Sequence, residues 1–181
     1  MGKSTRRLAA AFAGVCGAVL LASSGAGQAA ETCFHVCLKQ RMASPDIADS
    51  AIRDAMASCR DDCDEEAEAR LAQSGLAEKI AACEPAPLGA EEFRKIRSAS
   101  PSVVGFANAF TWEVNNVLPD KIIRRVELVT QSLGLQDVTM AASGIVAPGE
   151  RGAFFVNNVA DGYPAVRLTS RVKAIYACPA K

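Results

Sequence analysis

Two identical cysteine pairs carry the clearest chemical pattern in this 181-residue chain: Cys33-Phe-His-Val-Cys37 and Cys59-Arg-Asp-Asp-Cys63. Both are C-x3-C, so on a helix each pair lies at i and i+4 on one face. Cysteines so placed point the same way and do not easily bond each other, but they reach across to an antiparallel helix bearing the same pair. A hairpin then joins outer to outer and inner to inner, which predicts Cys33–Cys63 and Cys37–Cys59. Cys83 and Cys178 are expected to form a third bond that clamps the end of the chain onto its helical part. Cys16 is the seventh cysteine.

The same sulfurs define an alternative, a thiol-redox or metal-binding protein. Redox cysteines usually sit as C-x-x-C at a helix N-terminus, where the thiol pKa is lowered. Here the spacing differs, and Glu31 stands beside Cys33. For metal, His35 between Cys33 and Cys37 is the obvious third ligand. On a helix it points about 160 to 200° away from both cysteines, so the three converge only in a loop. Neither C-x-x-C-H nor a zinc-type C-x-x-C is present.

Other chemistry finds little to work with. His35 is the one histidine, and no serine is positioned for it to activate. Asp61, Asp62, Asp64, Glu65, Glu66 and Glu68 lack the spacing of a calcium loop and are expected to form a solvated helix face. Glu113 falls on the outer face of a strand. Trp112 and Tyr176 fall in phase with buried positions, so core packing is expected of both. There is no glycine-rich phosphate loop. No catalytic residue, cofactor or metal site is assigned, and the chain is not expected to be an enzyme.

The N-terminus explains why so many cysteines would be oxidised. Lys3, Arg6 and Arg7 precede an uncharged apolar run from Leu8 to Ala22, then small residues ending Gly27-Gln-Ala-Ala30. That is a secretory signal, cut after Ala29. Its fifteen-residue core is shorter than the roughly twenty residues of a spanning helix, so no membrane span is expected after signal removal. Loss of Cys16 with the signal leaves an even six, as a disulfide framework in an exported protein requires. A periplasmic or secreted location follows. Residues 30–97 carry nine Lys/Arg against fourteen Asp/Glu, and residues 98–181 carry eight against six. This mild acidity argues against a nucleic-acid partner.

The elements that must position these residues divide into two periodicities. Residues 30–84 read as a helical hairpin. Helix one is expected to end near Ala43 and helix two to start near Ala51, capped by Asp49 or Ser50. Ile52, Met56, Cys59, Cys63, Ala67 and Leu71 form its apolar stripe. Gly75 breaks it, and a short helix runs toward Cys83. Residues 85–101 read as a linker with a short helix over Glu91 to Arg97.

From residue 102 to 181 the period becomes two. One long strand is expected to run from Val103 through Val114, burying Val104, Phe106, Phe110, Trp112 and Val114, with Asn108 the exception on that face. Further strands are expected over Ile122 to Thr130, Val138 to Ala142, Ala153 to Val156 and Val166 to Cys178. In the last, Val166, Leu168, Val172, Ala174, Tyr176 and Cys178 face inward. Pro148-Gly-Glu150 is the strongest turn. The predicted fold class is α+β, a disulfide-linked antiparallel helical hairpin followed by an antiparallel β-sandwich.

Trp112-Glu-Val-Asn-Asn116, Val126-Glu-Leu128, Val146-Ala-Pro-Gly-Glu150 and Phe154-Phe-Val156 follow one another as in small immunoglobulin-like modules of bacterial envelope proteins. Residues 100–178 resemble such modules at the level of fold. The resemblance implies a scaffold or interaction domain. The expected function is therefore an exported, non-enzymatic binding or assembly module of the envelope with a protein partner. A further alternative is a hydrolase inhibitor that presents the hairpin connection, Arg41 to Ser50.

Overall fold

The computed structural model describes residues 31–43, 47–131, 136–157 and 170–180. The secretory segment, its cleavage site and Cys16 lie outside them, as do Ser44 to Asp46 of the hairpin connection and Val166 and Leu168 of the last strand. Residues 31–181 form one compact unit.

The helical hairpin is present. α1 spans Cys33–Arg41 and α2 Asp49–Gln73. Thr32 opens α1 by accepting a hydrogen bond from the His35 amide at 3.1 Å, satisfying one of the donors a helix start leaves free. Lys39 and Arg41 occupy its last turn, where cations meet the negative end of the dipole. The start of α2 differs from expectation. Ala48 takes the cap position without a side-chain bond, and Asp49 lies inside the first turn. Its charge near the helix N-terminus supplies stabilisation in place of a cap. Ile52, Met56, Cys59, Ala67 and Leu71 are buried.

The Cys33–Cys63 and Cys37–Cys59 disulfides join α1 to α2, with Cα atoms 5.9 and 5.6 Å apart. Gly75 turns the chain with φ +76, a left-handed conformation that costs glycine little. α3 (Ala77–Ala82) follows, and Cys83 caps its end. The stretch expected to be a linker carries β1 (Ala86–Pro87) and α4 (Ala90–Ala99), the latter opened by the Glu92 carboxylate accepting from the Gly89 amide.

The region expected as one long strand is a hairpin instead, β2 (Val104–Phe106) and β3 (Ala109–Asn115). Phe106 pairs with Ala109, leaving a two-residue turn in which Ala107 and Asn108 have φ of 51 and 59. Positive φ at both central positions is the type I′ turn, whose twist matches that of paired strands. Val104 and Phe106 consequently leave the core, and each is more than half exposed.

β4 (Lys121–Gln131), β5 (Asp137–Val146), β6 (Arg151–Val156) and β7 (Ser170–Pro179) complete the sheets. β5 continues to Val146, beyond the Ala142 expected as its end. All pairings are antiparallel, in the orders β1-β7-β4-β5 and β2-β3-β6.

Both sheets contribute to one apolar cluster. Phe110, Trp112, Val114 and Phe154 come from the three-stranded sheet, and Ile123, Val126, Leu128, Val146 and Ile175 from the four-stranded one. Burying each such side chain is worth about 1.5–3 kcal/mol. The expected alternation of the last strand fails at Lys173. Glu127 pairs with Ala174 and Leu128 with Val172, so Lys173 is an extra residue. This bulge inverts the pattern. Ile175 and Ala177 face the core, and Tyr176 leaves it for the outer face.

The hairpin covers the outer face of the three-stranded sheet. Phe34, Ile52, Met56 and Cys59 pack on Ala109, Ala153 and Phe155. Further along α2, Ala67 and Leu71 meet Ile122, Ile145 and Ala147. Cys83–Cys178 ties the end of the helical region to the end of β7 across 95 residues of sequence.

Candidate interaction surface

All six cysteines of the described residues are in disulfides. Cys59 and Cys178 are buried, whereas Cys33 is exposed. No group of three or more His, Cys, Asp or Glu side chains among the described residues is arranged to hold a metal. No described helix is long and apolar enough to cross a membrane.

His35 has a different neighbour from the one its spacing suggested. Its Nδ1 lies 3.6 Å from Glu113 Oε1, while the Thr32 hydroxyl donates to Glu113 Oε2 at 2.8 Å. Glu113 does lie on the outer face of β3, and it receives the start of α1 there. These three side chains form a polar clasp between hairpin and sheet.

A second clasp involves Asp64, which departs from the solvated face expected of the acidic run. Its Oδ1 accepts a hydrogen bond from the Ile145 amide at 3.0 Å. Burial pushes its carboxyl up to about 6, against the opposing pull of that amide and of Arg60. Nearly two turns further along α2, Arg70 donates to both carboxylate oxygens of Glu150, at 3.3 and 3.0 Å. This pair reinforces the Arg70 cation and fastens α2 to the turn before β6. These groups hold the hairpin against the sheets.

Trp112 is fully buried, its Nε1 donating to the Pro101 carbonyl at 3.0 Å while Arg97 stacks on its ring. Tyr176 was expected in the core and is not there. Its hydroxyl donates to Glu127 at 2.9 Å, and its ring lies under Arg125. That hydrogen bond pushes the Tyr176 pKa up. Lys173 also reaches Glu127, and Arg171 pairs with Asp137. The outer face of the four-stranded sheet is therefore a lattice of neutralised charges.

An open groove of about 470 Å³ runs between α2 and α3, lined by Leu71, Ala72 and Ile80, with Glu65, Glu68 and Arg124 at its rim.

The β2 edge has another character. Its neighbour on one side is β3, and among the described residues nothing pairs with its other side. Val104 is 56% exposed and Phe106 52%. Cross-strand pairing with Thr111 and Ala109 puts both on the same face as the helical hairpin, which stops short of them. An unpaired edge carrying exposed apolar side chains is a template for a further strand. Sequence periodicity assigned these two residues to the core, because Val104 and Phe106 are in phase with Phe110 and Trp112. Asn108 held the clue: a turn-former that tolerates positive φ, lying on an otherwise apolar face.

With this geometry in hand, no protein family, curated protein or solved structure matches the chain.

Proposed function

We propose that this chain is an exported, non-enzymatic binding or assembly module of the bacterial envelope, acting in the periplasm or outside the cell, with the β2 edge as its contact surface. On this reading residues 1–29 are a secretory signal, and the two-sheet region serves as an immunoglobulin-like scaffold. One observation carries it: Val104 and Phe106 stand exposed side by side on a strand edge that no other described strand pairs. Several polar side chains elsewhere serve structure. His35, Glu113, Asp64, Arg70 and Glu150 all tie the hairpin to the sheets. An oxidising compartment fits a chain whose hairpin and C-terminal strand are held by disulfides. Backbone pairing at a sheet edge supplies affinity, and the side chains flanking it supply selectivity.

The test is photo-crosslinking in cells from position 106, with the same reactive residue at position 127 on the opposite sheet as control. An adduct formed from 106, absent from 127 and lost on Val104→Lys supports the edge as the contact. Equal labelling from both positions, or none from 106, removes it.

A further inference from the structure

We infer that the Cys33–Cys63 disulfide is a thiol-exchange site: a dithiol reductant opens it in the folded protein while the other two bonds stay closed, and its opening releases the start of α1 from the outer face of β3.

The three bonds differ in what a thiol can reach and what it must expel. Exchange begins when a thiolate attacks one sulfur and the other leaves as a thiolate. Cys59 is fully buried in Cys37–Cys59, and Cys178 is 1% exposed in Cys83–Cys178. Attack on Cys37 or Cys83 would expel a thiolate at a buried position, and an unpaired buried charge is costly. Those two bonds therefore wait for the fold to open around them. Cys33–Cys63 has no buried member. Cys33 is exposed and Cys63 half-buried, and both border a surface hollow of about 20 Å³. The Glu66 carboxylate lies 3.7 Å from Cys33 Sγ, and Arg70, 3.9 Å from that carboxylate, offsets part of its charge.

Topology adds to access. Cys33–Cys63 and Cys37–Cys59 are nested, so with the inner bond closed the outer one closes a ring of only about ten residues, 33–37 and 59–63. Cys83–Cys178 spans a separation of 95. A smaller ring restrains the unfolded chain less, so opening it costs the folded state less.

In the exchange, one thiolate of the dithiol attacks Cys33 Sγ. The Cys33–Cys63 bond breaks, and Cys63 leaves and takes up a proton from water. The second thiolate then attacks the reductant's own sulfur in the mixed disulfide, and Cys33 leaves and is protonated in turn. The dithiol loses two electrons and becomes a cyclic disulfide, while Cys33 and Cys63 become thiols.

Among the described residues Cys33–Cys63 is the only cross-link before Cys37. Once it opens, Thr32 and His35 on Glu113 and Phe34 in its apolar cluster are what hold the first turn of α1. Cys37–Cys59 still holds the rest of the helix to α2. A segment near a chain end with so few ties frays first.

The test is limited reduction of the oxidised protein with dithiothreitol in native buffer, followed by acid quench, alkylation and peptide mass analysis. A species labelled at Cys33 and Cys63 alone should form at least about ten-fold faster than any label appears at the other four cysteines. In that species amide hydrogen exchange should speed up over residues 33–36 and stay unchanged in α2 and the sheets. The variant Cys33→Ala/Cys63→Ala should show the same fast exchange without reductant. First labelling at Cys37 and Cys59 or at Cys83 and Cys178, or all six cysteines labelled together, would overturn the exchange site. Unchanged exchange over residues 33–36 in both the two-thiol species and the variant would overturn the release of α1.

Discussion

The helical hairpin and the two sheets are stabilised over different distances along the chain. The hairpin's disulfides link residues 30 and 22 positions apart, and its cap and last-turn charges act within a few residues. The sheets depend on remote partners: Phe110 pairs with Val156, Lys121 with Pro179 and Ala86 with Ala177. Local chemistry thus defines the first region, while strand order and core contacts define the second. The seam between them is polar as well as apolar, since Thr32, His35 and Asp64 of the hairpin meet Glu113 and the Ile145 amide.

That contrast sets the scale of what should break each part. The largest effect is expected from removing the one covalent link between the helical region and the last strand. The double variant Cys83→Ala/Cys178→Ala opens a loop of 95 residues and should lower unfolding free energy by about 4 kcal/mol, measured by urea denaturation. A loss under about 1 kcal/mol would show that the sheets hold β7 without it.

Asn116 comes next. It is fully buried; its side-chain nitrogen donates to the carbonyls of Lys121, Val146 and Ala147 at 2.8, 2.9 and 3.1 Å, and its oxygen accepts from the Leu118 amide. One side chain thus joins the ends of β3, β4 and β5. Asn116→Ala strands several buried acceptors and should cost about 3 kcal/mol, read as a lower thermal midpoint.

Within the hairpin the losses should be smaller. Cys37→Ala/Cys59→Ala leaves Cys33–Cys63 closing the same two helices, so about 1–2 kcal/mol is expected. A cost equal to that of Cys83–Cys178 would erase the distinction between the regions. Thr32→Ala removes both the α1 cap and a hydrogen bond to Glu113 and should cost about 1 kcal/mol.

Asp64→Asn should act in the opposite direction. Burial raises the Asp64 pKa from 3.8 to about 6, so the folded chain holds that proton more tightly than the unfolded one. Its contribution is therefore most favourable below about pH 4, declines as pH rises to about 6, and is constant above. Asparagine keeps an oxygen for the Ile145 amide and carries no charge. After discounting for the water that reaches this carboxylate, the variant should be more stable at pH 7 by about 1 kcal/mol or less. Its denaturation midpoint should vary less between pH 4 and 6 than that of the parent. An undiminished slope would assign the pH dependence to other groups.

How legible each part was follows from the same distances. The disulfide-linked hairpin could be derived from two C-x3-C pairs, because helical geometry converts spacing directly into direction. The antiparallel α+β class was readable from the change of period near residue 100. Sheet details were not. A bulge adds one residue and inverts every position beyond it, so Tyr176 was assigned inward and lies outward. A type I′ turn can hide inside an alternating run when its residues are as bland as Ala107. The candidate site was missed for that reason: with the turn unrecognised, Val104 and Phe106 passed for core.

By itself the sequence determined which helices could be stapled and by which sulfurs, because a cysteine four residues from another has one direction to face. Tertiary structure alone decided which acidic residue is buried, which aromatic leaves the core and where an apolar edge stays open. Those outcomes depend on what a remote strand or helix covers. Asp64 meets the Ile145 amide 81 residues away, and nothing near Asp64 in the chain records that contact.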